Sequence, residues 1–400
     1  MMTERIYYTD SFTQEFSSRV AEKLLWEGNP AVRLESTCFY PESGGQPADQ
    51  GHLNGIAVIA VAERGDDIIH VLEQDQFNEN DQVEGQIDWD RRFDHMQQHT
   101  GQHILSQAFL RELNGKTESF HLSSTFSTID LSLESLTREE LYRAEDSANQ
   151  IVFQNRRVRV HSVDPSDQRD LPLRGESERS GKIRVVEIED FDFSPCGGTH
   201  CNRTGEVGPI KILRWERVRK KVRAEFVCGW RAFRDYRWKN RALFRLSRMH
   251  STSDRDVVST VEKQIERQRE LRQQVKALEN NLLTIEASQL VNSCLTQGRT
   301  KIAVKIWPEL DIKSLNRAAT LIMESGEDWI ILLGTRSPKP ALLFARSQGL
   351  EEHDMRDWVS QTAHLINGRG GGTPDRAQAG GTQSEGLDDA IAEALKLAQK

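Results

Sequence analysis

The stretch from His95 to Phe109 constrains the fold of this chain more than any other part of its sequence. It lacks proline and repeats apolar residues at helical spacing, so it predicts a single amphipathic helix. His99 and His103 lie one turn apart on that helix, and His95 lies one turn earlier. Two imidazoles at this spacing can bind one small cation, which makes the pair a candidate half of a zinc site. Taken alone, the pair fits ordinary surface histidines at least as well.

A second short motif, Cys196-Gly-Gly-Thr-His200, follows almost a hundred residues later. Together with His99 and His103 it supplies three imidazoles and one thiolate, a donor set that suits borderline-soft Zn²⁺. Cys201 is a competing sulfur donor next to this motif. Four protein ligands close the tetrahedral shell typical of structural zinc, so a catalytic ion would need a weak ligand or a fifth position.

The composition predicts a soluble globular protein of two to four domains, with 37% hydrophobic and 28% charged residues. The first residues contain no apolar signal region, and no window approaches 18 consecutive apolar residues. We therefore expect a cytoplasmic protein without a membrane span. Five cysteines are too few for a disulfide framework and fit a reducing compartment.

The net charge of −8 conceals a basic segment at residues 211–248, which contains 14 lysines and arginines but only three acidic residues. Such a concentration on an acidic chain is typical of a protein that binds a polyanion. Five aromatic residues of the same segment could stack on bases: Trp215, Trp230, Phe233, Tyr236 and Trp238. The alternative is a solvated basic helix whose aromatic residues belong to the core.

Residues 1–90 contain short β-branched runs separated by polar turns, and they predict a β-barrel-like domain. The loop from Cys38 to Gly51 contains Gly44-Gly45-Gln46. Paired glycines permit positive φ and a close approach of the backbone to a ligand. The alternative for this loop is an ordinary corner of the barrel.

Residues 91–240 predict an α+β domain in which the histidine helix lies on an antiparallel sheet. The run Phe120–Leu131 alternates apolar and hydroxyl residues and predicts one half-buried strand. Thr137 and Glu140 form a capping box that begins a helix ending near Phe153. A further strand is predicted at Ser180–Asp190.

Residues 241–293 predict a helical arm. Proline and glycine disappear from about Asp235 to Ser288, which favours one long helix. Its apolar residues keep a four-three spacing at Leu271, Val275, Leu278, Leu282 and Ile285. This spacing predicts a short coiled-coil seam, either within the chain or between two chains, although packing on a neighbouring domain is an alternative. We expect a homodimer through residues 257–290, which a monomeric mass by light scattering would contradict.

Residues 294–400 alternate strand-like and helical runs and predict a small α/β domain. Near its end, the glycine run Gly368–Gly372 with Arg369 and Arg376 predicts a loop that cradles phosphate through backbone N–H groups. No Gly-Lys-Ser/Thr follows, so it is not a Walker motif. The alternative is a flexible linker.

Three motifs, Phe39–Asp49, His99-Thr-Gly-Gln-His103 and Cys196–His200, occur in the order found in the editing half of alanyl-tRNA synthetase. Freestanding AlaX editing proteins share that half. The segment Pro374–Gly381 resembles the C-terminal domain that these synthetases share with DHH phosphoesterases. The whole chain is thus similar to long-form AlaX proteins, and the resemblance implies an editing domain, a coiled-coil arm and a C-terminal tRNA-binding domain.

The resemblance implies the residues for zinc binding and for substrate binding, whereas the candidates for catalysis and for tRNA contact come from the residue types themselves. Zinc ligands are His99, His103, Cys196 and His200. Substrate-binding residues are Gly44, Gly45, Gln46, Thr125 and Thr128. Candidate proton-handling residues for catalysis are Gln102 and Asp192, and candidate tRNA contacts are Lys220, Lys221, Arg223, Arg369 and Arg376.

The implied activity is zinc-dependent hydrolysis of the ester in tRNA(Ala) mischarged with serine or glycine. A hydrophobic pocket for alanine rejects a similar amino acid by only ~1–3 kcal/mol, so a second, hydrolytic sieve is needed. A site that hydrogen-bonds a serine hydroxyl would in turn reject alanine. The alternatives are a non-catalytic zinc-containing tRNA-binding module and a DHH-like phosphoesterase, whose Asp-His-His cluster the sequence lacks.

Overall fold

The computed structural model describes residues 2–164, 172–174 and 183–399. The chain divides into two compact units, residues 1–246 and 247–400. Each combines helices with β-sheets, so the predicted α+β class is confirmed. Among the described residues, no helix is both long and apolar enough to cross a membrane. The first three residues of the strand predicted at Ser180–Asp190 lie outside the described residues.

The first unit begins with a closed barrel. Its elements are β1 (Glu4–Arg5), α1 (Ile6–Thr9), β2 (Glu15–Trp26), β3 (Asn29–Leu34), β4 (Ser36–Thr37), β5 (Gly51–Leu53), β6 (Ile56–Arg64), β7 (Asp67–Leu72) and β8 (Gln82–Ile87). The barrel closes in the order β2-β3-β7-β6-β5-β8. Because side chains alternate between the faces of a strand, Phe16 and Val20 of β2 and Val83 of β8 fill the interior.

The loop between β4 and β5 carries the motif Gly44-Gly45-Gln46. Two backbone hydrogen bonds between Ser43 and Gln46, of 3.1 and 3.0 Å, close its tip. Gly44 and Gly45 have φ of 58° and 81°. A Cβ on Gly45 would lie 2.6 Å from the carbonyl oxygen of Phe120, so only glycine permits this approach.

The rest of the first unit combines three helices with two antiparallel sheets. Its elements are α2 (Trp89–Leu113), β9 (Thr117–Leu122), β10 (Ser127–Leu131), α3 (Arg138–Phe153), β11 (Val158–Val163), β12 (Ile183–Ile188), β13 (Asp192–Pro195), β14 (Ile210–Val218), β15 (Lys221–Cys228) and α4 (Gly229–Met249). The sheets have the orders β14-β15-β10-β9 and β11-β12-β13. Ile104 and Phe109 of α2 share one core with Ala144 of α3 and Phe226 of β15. The predicted capping box of Thr137 and Glu140 and the helix end at Phe153 are confirmed.

The single strand predicted at Phe120–Leu131 is wrong. β9 and β10 are two antiparallel strands, joined by a turn at residues 123–126. The Ser123 hydroxyl donates to the Phe126 carbonyl at 2.7 Å, and the Phe126 N–H donates to that hydroxyl at 3.2 Å. Such local side-chain bonds compete with strand pairing, and they place Thr125 in an exposed turn.

The single helix predicted from Asp235 to Ser288 is also wrong. It is interrupted at residues 250–256, and a second helix follows, α5 (Val257–Asn292). The interruption contains Ser251 at φ 50° and a hydrogen bond from the Ser253 hydroxyl to Asp256. The seam residues of α5, from Leu271 to Ile285, are 45–67% exposed, so no described segment of the second unit covers them. The predicted pairing between two chains stays a prediction.

The second unit is a six-stranded sheet with helices on both faces. Its further elements are β16 (Leu295–Gln297), β17 (Thr300–Glu309), α6 (Ile312–Met323), β18 (Trp329–Ser337), β19 (Ala341–Arg346), α7 (Met355–Thr362), β20 (Arg369–Gly372), β21 (Arg376–Gly380) and α8 (Leu387–Ala398). The strand order is β16-β17-β18-β19-β21-β20. Helix α6 and the end of α5 pack on one face, and α7 and α8 pack on the other.

The glycine run is neither a loop nor a flexible linker, and its predicted binding of phosphate stays a prediction. It is β20, an edge strand paired with β21. A Cβ on Gly370 would lie 2.1 Å from the carbonyl oxygen of Gln378, and one on Gly372 would lie 2.2 Å from that of Arg376. The glycines therefore serve the close approach of two strands.

Candidate metal centre

Four potential metal ligands converge in the first unit. His99 and His103 extend from one face of α2, while Cys196 and His200 come from the segment after β13. One ligand atom from each lies within 4.8 Å of the others. The Nε2 atoms of His99 and His200 are each 3.3 Å from the Cys196 sulfur. A Cβ on Gly198 would lie 2.2 Å from the His99 ring, so the glycine lets the motif fold against α2.

Each of the three histidines has a polar partner at Nδ1. The pairs are His99 with Gln46 Oε1 at 2.8 Å, His103 with Asp192 Oδ2 at 3.4 Å, and His200 with Thr100 Oγ1 at 3.3 Å. A ring that uses Nδ1 in this way presents Nε2 to a metal. The sequence predicted the ligands, but these partners come from three separate parts of the chain.

Gln46 contacts the Nδ1 side of the His99 ring and is not exposed to solvent. Its side chain is fully buried, its Nε2 donates to Thr199 Oγ1 at 2.8 Å, and its Oε1 accepts from the Thr199 N–H at 3.2 Å. The barrel loop and the segment after β13 are thus joined through one amide. The structure therefore places Gln46 against a ligand histidine and its neighbour.

Asp192 is buried and accepts several hydrogen bonds. Arg174 Nε donates to Oδ1 at 2.9 Å, and the Ser194 hydroxyl donates to Oδ2 at 2.8 Å. Burial alone would raise the pKa of Asp192, but the bond to His103 and the charge of Arg174 hold it below its usual value. The carboxylate is therefore ionised and available to orient His103.

The electrostatics favour the metal-binding forms of Cys196 and His200. Burial would raise the pKa of Cys196, but His99 and His200 hold it well below the usual thiol value. Burial lowers the pKa of His200 to about 3, which keeps that ring neutral. Burial would lower the pKa of His103, but its hydrogen bonds to Asp192 and Cys196 raise it. Thiolate and neutral imidazole are the species that bind metals.

The two competing donors named in the sequence lie outside the cluster. Burial raises the pKa of Cys201, so this residue stays a thiol. His95 is buried, its Nδ1 has no hydrogen-bond partner, and burial lowers its pKa to about 3. Neither residue contributes to the four-ligand site.

A cavity of about 750 Å³ adjoins the cluster. Its wall includes the ligands His99, His103 and Cys196, together with Gly44 and Gln102 among the other predicted site residues. The fourth ligand, His200, is not part of this wall, and neither are five of the predicted substrate-binding and proton-handling residues: Gly45, Gln46, Thr125, Thr128 and Asp192. Thr128 lies on β10, opposite His121 and Glu225 of the neighbouring strands.

A hydroxyl network that the sequence did not reveal lines the same cavity. Gln102 Nε2 donates to Ser106 Oγ at 2.8 Å, and Thr117 Oγ1 donates to the same oxygen at 2.7 Å. Gln102 and Ser106 are one helical turn apart, a spacing that could have suggested this contact. Thr117 belongs to β9, so no local pattern could have found it. Arg184 was also missed, and its Nη1 holds the metal-binding segment by donating to the carbonyl oxygens of Cys196 and Gly198.

Some of the candidate tRNA-contact residues are already bonded to other groups of the protein, whereas others are exposed to solvent. Arg223 forms two hydrogen bonds with Asp130, of 2.6 and 2.8 Å, and Lys221 forms an ion pair with Glu118. Arg376 donates to the Asn316 carbonyl at 3.0 Å, and burial lowers its pKa. Lys220 and Arg369 are exposed.

Three protein families match successive parts of the chain. Residues 5–91 match class II (A) tRNA synthetases, and residues 183–223 match the second additional domain of threonyl and alanyl tRNA synthetases. Residues 299–400 match the DHHA1 domain. The second match contains two of the four cluster residues, Cys196 and His200.

Two kinds of relative share about the same identity with the chain. Alanine–tRNA ligase of Pyrococcus furiosus is 31% identical over 86% of this chain, which spans only 40% of the ligase. Alanyl-tRNA editing protein AlaX-L of Pyrococcus horikoshii is 31% identical, with 94% of each chain covered. Alanyl-tRNA editing protein Aarsd1 of Rattus norvegicus is 30% identical, covering 94% of this chain and 93% of its own length. Because these two editing proteins match along nearly their whole length, the chain belongs to the AlaX family of alanyl-tRNA editing proteins.

Proposed function

We propose that this protein hydrolyses the ester between a wrongly attached amino acid and the terminal ribose of tRNA(Ala). One observation carries the proposal: three members of a four-ligand cluster form part of the wall of a cavity of about 750 Å³. Ligand sites in proteins commonly enclose roughly 300–1,000 Å³, so the end of an aminoacyl-tRNA fits this size class. The names of the P. horikoshii and rat relatives support the substrate.

The donor set supports zinc as the metal. With usual Zn–N and Zn–S bond lengths, tetrahedral geometry places nitrogen and sulfur ligands about 3.5 Å apart. The two measured separations from Cys196 Sγ are 3.3 Å, close to that value. Bound zinc would supply Lewis acidity, or a water molecule with its pKa lowered to about 7.

The surrounding residues act by orientation. Gln46 and Asp192 hold the rings of His99 and His103, and Arg174 keeps the Asp192 carboxylate in place. We infer that Asp192 is a positioning residue, because its side chain faces His103 and lies outside the cavity wall. Gln102 lines the cavity, where its amide can contact substrate.

Selectivity follows from the hydroxyl network beside the metal site. A serine side chain in the cavity can hydrogen-bond to the group formed by Gln102, Ser106 and Thr117, whereas alanine has no hydroxyl with which to form such a bond. We therefore propose that seryl-tRNA(Ala) is preferred over alanyl-tRNA(Ala). Glycine lacks the hydroxyl, so glycyl-tRNA(Ala) is expected to be the slower of the two mischarged substrates.

Thr117→Val is expected to lower the preference for seryl- over alanyl-tRNA(Ala) by about 5- to 150-fold, because loss of the hydrogen bond to the buried Ser106 hydroxyl costs about 1–3 kcal/mol. The measurement is kcat/KM for deacylation of seryl-, glycyl- and alanyl-tRNA(Ala). Thr128→Val is the matched control, since this residue lies outside the cavity wall. Equal hydrolysis of seryl- and alanyl-tRNA(Ala) by the unaltered protein would contradict the proposed selectivity.

Gln46→Ala is expected to weaken zinc binding by about 10- to 100-fold, because His99 loses the partner that orients its ring. The measurement is competition for zinc against a chelator, which does not depend on activity. Gln46→Glu keeps an acceptor for His99 and should recover part of the affinity. Gln86→Ala removes an exposed glutamine of the same barrel and should change nothing. Unchanged zinc affinity in Gln46→Ala would show that Gln46 does not position His99.

A further inference from the structure

Helix α4 has an exposed face that combines aromatic and cationic side chains. At 100° per residue, an arc of about 120° contains two aromatic residues and four arginines. These residues are Trp230, Phe233, Arg234, Arg237, Arg241 and Arg245. Trp230 is 57% exposed and Phe233 is 44% exposed, so the alternative that the aromatic residues belong to the core is wrong for these two. It holds for Trp215, which packs partly buried against the core of the first unit.

The positive charge of this face is largely uncompensated. Among the described residues, no carboxylate forms an ion pair with Arg237, Arg241 or Arg245. The one acidic residue of α4, Asp235, pairs with Lys239 at 2.6 Å on another side of the helix. Three neighbouring guanidinium groups without counter-charges favour an anionic partner.

The aromatic residues narrow the class of anionic partner to one with flat rings. The Trp230 and Phe233 rings meet edge to face at 5.7 Å, and the Arg237 guanidinium lies 4.7 Å from the Phe233 ring centre. Flat rings beside arginines are the surface on which unpaired bases stack while phosphates bind the cations. A second copy of this chain fits poorly, because a two-fold interface would bring the same arginines together.

The start of α4 is fastened next to the metal centre. The side chain of Gln98, the residue before the ligand His99, bonds to both the N–H and the C=O of Cys228, at 2.8 and 3.1 Å. Arg231 ties the first turn of α4 to Asp94 and to the Ser123 carbonyl. From there to Arg245, α4 extends about 24 Å. An RNA whose end reaches the metal can therefore lie along this helix.

We propose that this face of α4 binds the acceptor arm of the tRNA. Trp230 and Phe233 stack on unpaired nucleotides near the 3′ end, and Arg237, Arg241 and Arg245 bind phosphates of the stem. This inference rests on the proposed function for the identity of the RNA. It assigns the contact to α4, whereas Lys221 and Arg223 are already engaged with Glu118 and Asp130.

The test is binding of uncharged tRNA(Ala) transcript at several salt concentrations. Replacing Arg237, Arg241 and Arg245 together by glutamine is expected to weaken binding by on the order of 10- to 100-fold at 0.15 M salt. The slope of log affinity against log salt should also become shallower by about 2 to 3. Trp230→Ala should weaken binding about 5- to 150-fold for RNA with a single-stranded 3′ end, but not for a blunt duplex.

The control replaces Arg267, Arg269 and Arg272 of α5, which are also exposed, and it removes the same charge, although Arg267 and Arg269 pair with Glu270 and Glu266. An α4 variant whose affinity and salt slope equal those of this control would overturn the interface. So would a variant that keeps its affinity but changes its oligomeric mass, because that result assigns the face to a second copy. If the unaltered protein binds tRNA through α4 but hydrolyses no charged tRNA, the proposed function fails while the interface stands. Deacylation with a KM unaffected by the α4 variant would instead contradict the interface alone.

Discussion

His103→Ala is expected to abolish zinc binding and to lower deacylation of seryl-tRNA(Ala) by more than about 100-fold, while the fold and tRNA binding are retained. The loss should exceed that of Gln46→Ala, since a direct ligand contributes more than a residue that orients one. The fold should survive because Asp192 keeps its bonds to Arg174 and Ser194 when the imidazole is removed. The measurements are the zinc content of the purified protein, the deacylation rate and the far-ultraviolet circular dichroism.

The matched control is His95→Ala, two turns earlier on the same helix. His95 is equally buried but lies outside the ligand cluster, so this variant should keep its zinc. A His103→Ala protein that keeps zinc and full activity would refute the metal site. One that loses zinc and unfolds would favour the non-catalytic module, in which the metal serves the fold.

The ligand set was predictable because its two halves are short and local. His99 and His103 are one turn apart in a segment with a clear helical period, and Cys196 and His200 are separated by three small residues. Their roles could be assigned together only through the family resemblance. Periodicity reveals which face of an element is buried, but not which distant element covers it.

Thr117 and Ser106 line the site through a contact that local sequence patterns do not predict. Thr117 reaches Ser106 because the chain reverses directly after α2, at the left-handed residue Asn114, so that β9 returns beside the helix. The Ser123 side chain takes part in three hydrogen bonds within the turn at residues 123–126, and this turn divides the one predicted strand into two. Thr125, which was predicted to bind substrate, consequently lies in an exposed turn. Thr117 lines the cavity instead.

Arg92 and Asp49 illustrate a buried pair that joins the barrel to the metal helix. Both side chains are fully buried. Arg92 Nε lies 3.1 and 3.0 Å from the two carboxylate oxygens, and Nη2 also bonds to Asp49. The Tyr40 N–H donates to Asp49 at 2.7 Å, and Arg92 donates to the carbonyl oxygens of Cys38 and Ser11. The pair therefore anchors both ends of the loop that carries Gln46.

Asp49→Ala is expected to lower the free energy of unfolding of the first unit by about 3–5 kcal/mol, because it leaves a guanidinium buried without its counter-charge. The measurement is native-state hydrogen exchange of the amides of β8 and α2, which reports this unit separately from the rest of the chain. Asp75→Ala is the control: its ion pair with Lys23 is exposed and should contribute less than about 1 kcal/mol.

The same variant should also bind zinc more weakly, because a loosened loop no longer holds Gln46 against His99. If Asp49→Ala loses stability but keeps full zinc affinity, the loop is held by other contacts, and the barrel does not help to build the metal site. If both decrease while Asp75→Ala changes neither, the barrel stabilises the metal centre through this buried pair. Gln46→Ala provides a comparison with Asp49→Ala, since it should lower zinc affinity without a large decrease in the free energy of unfolding.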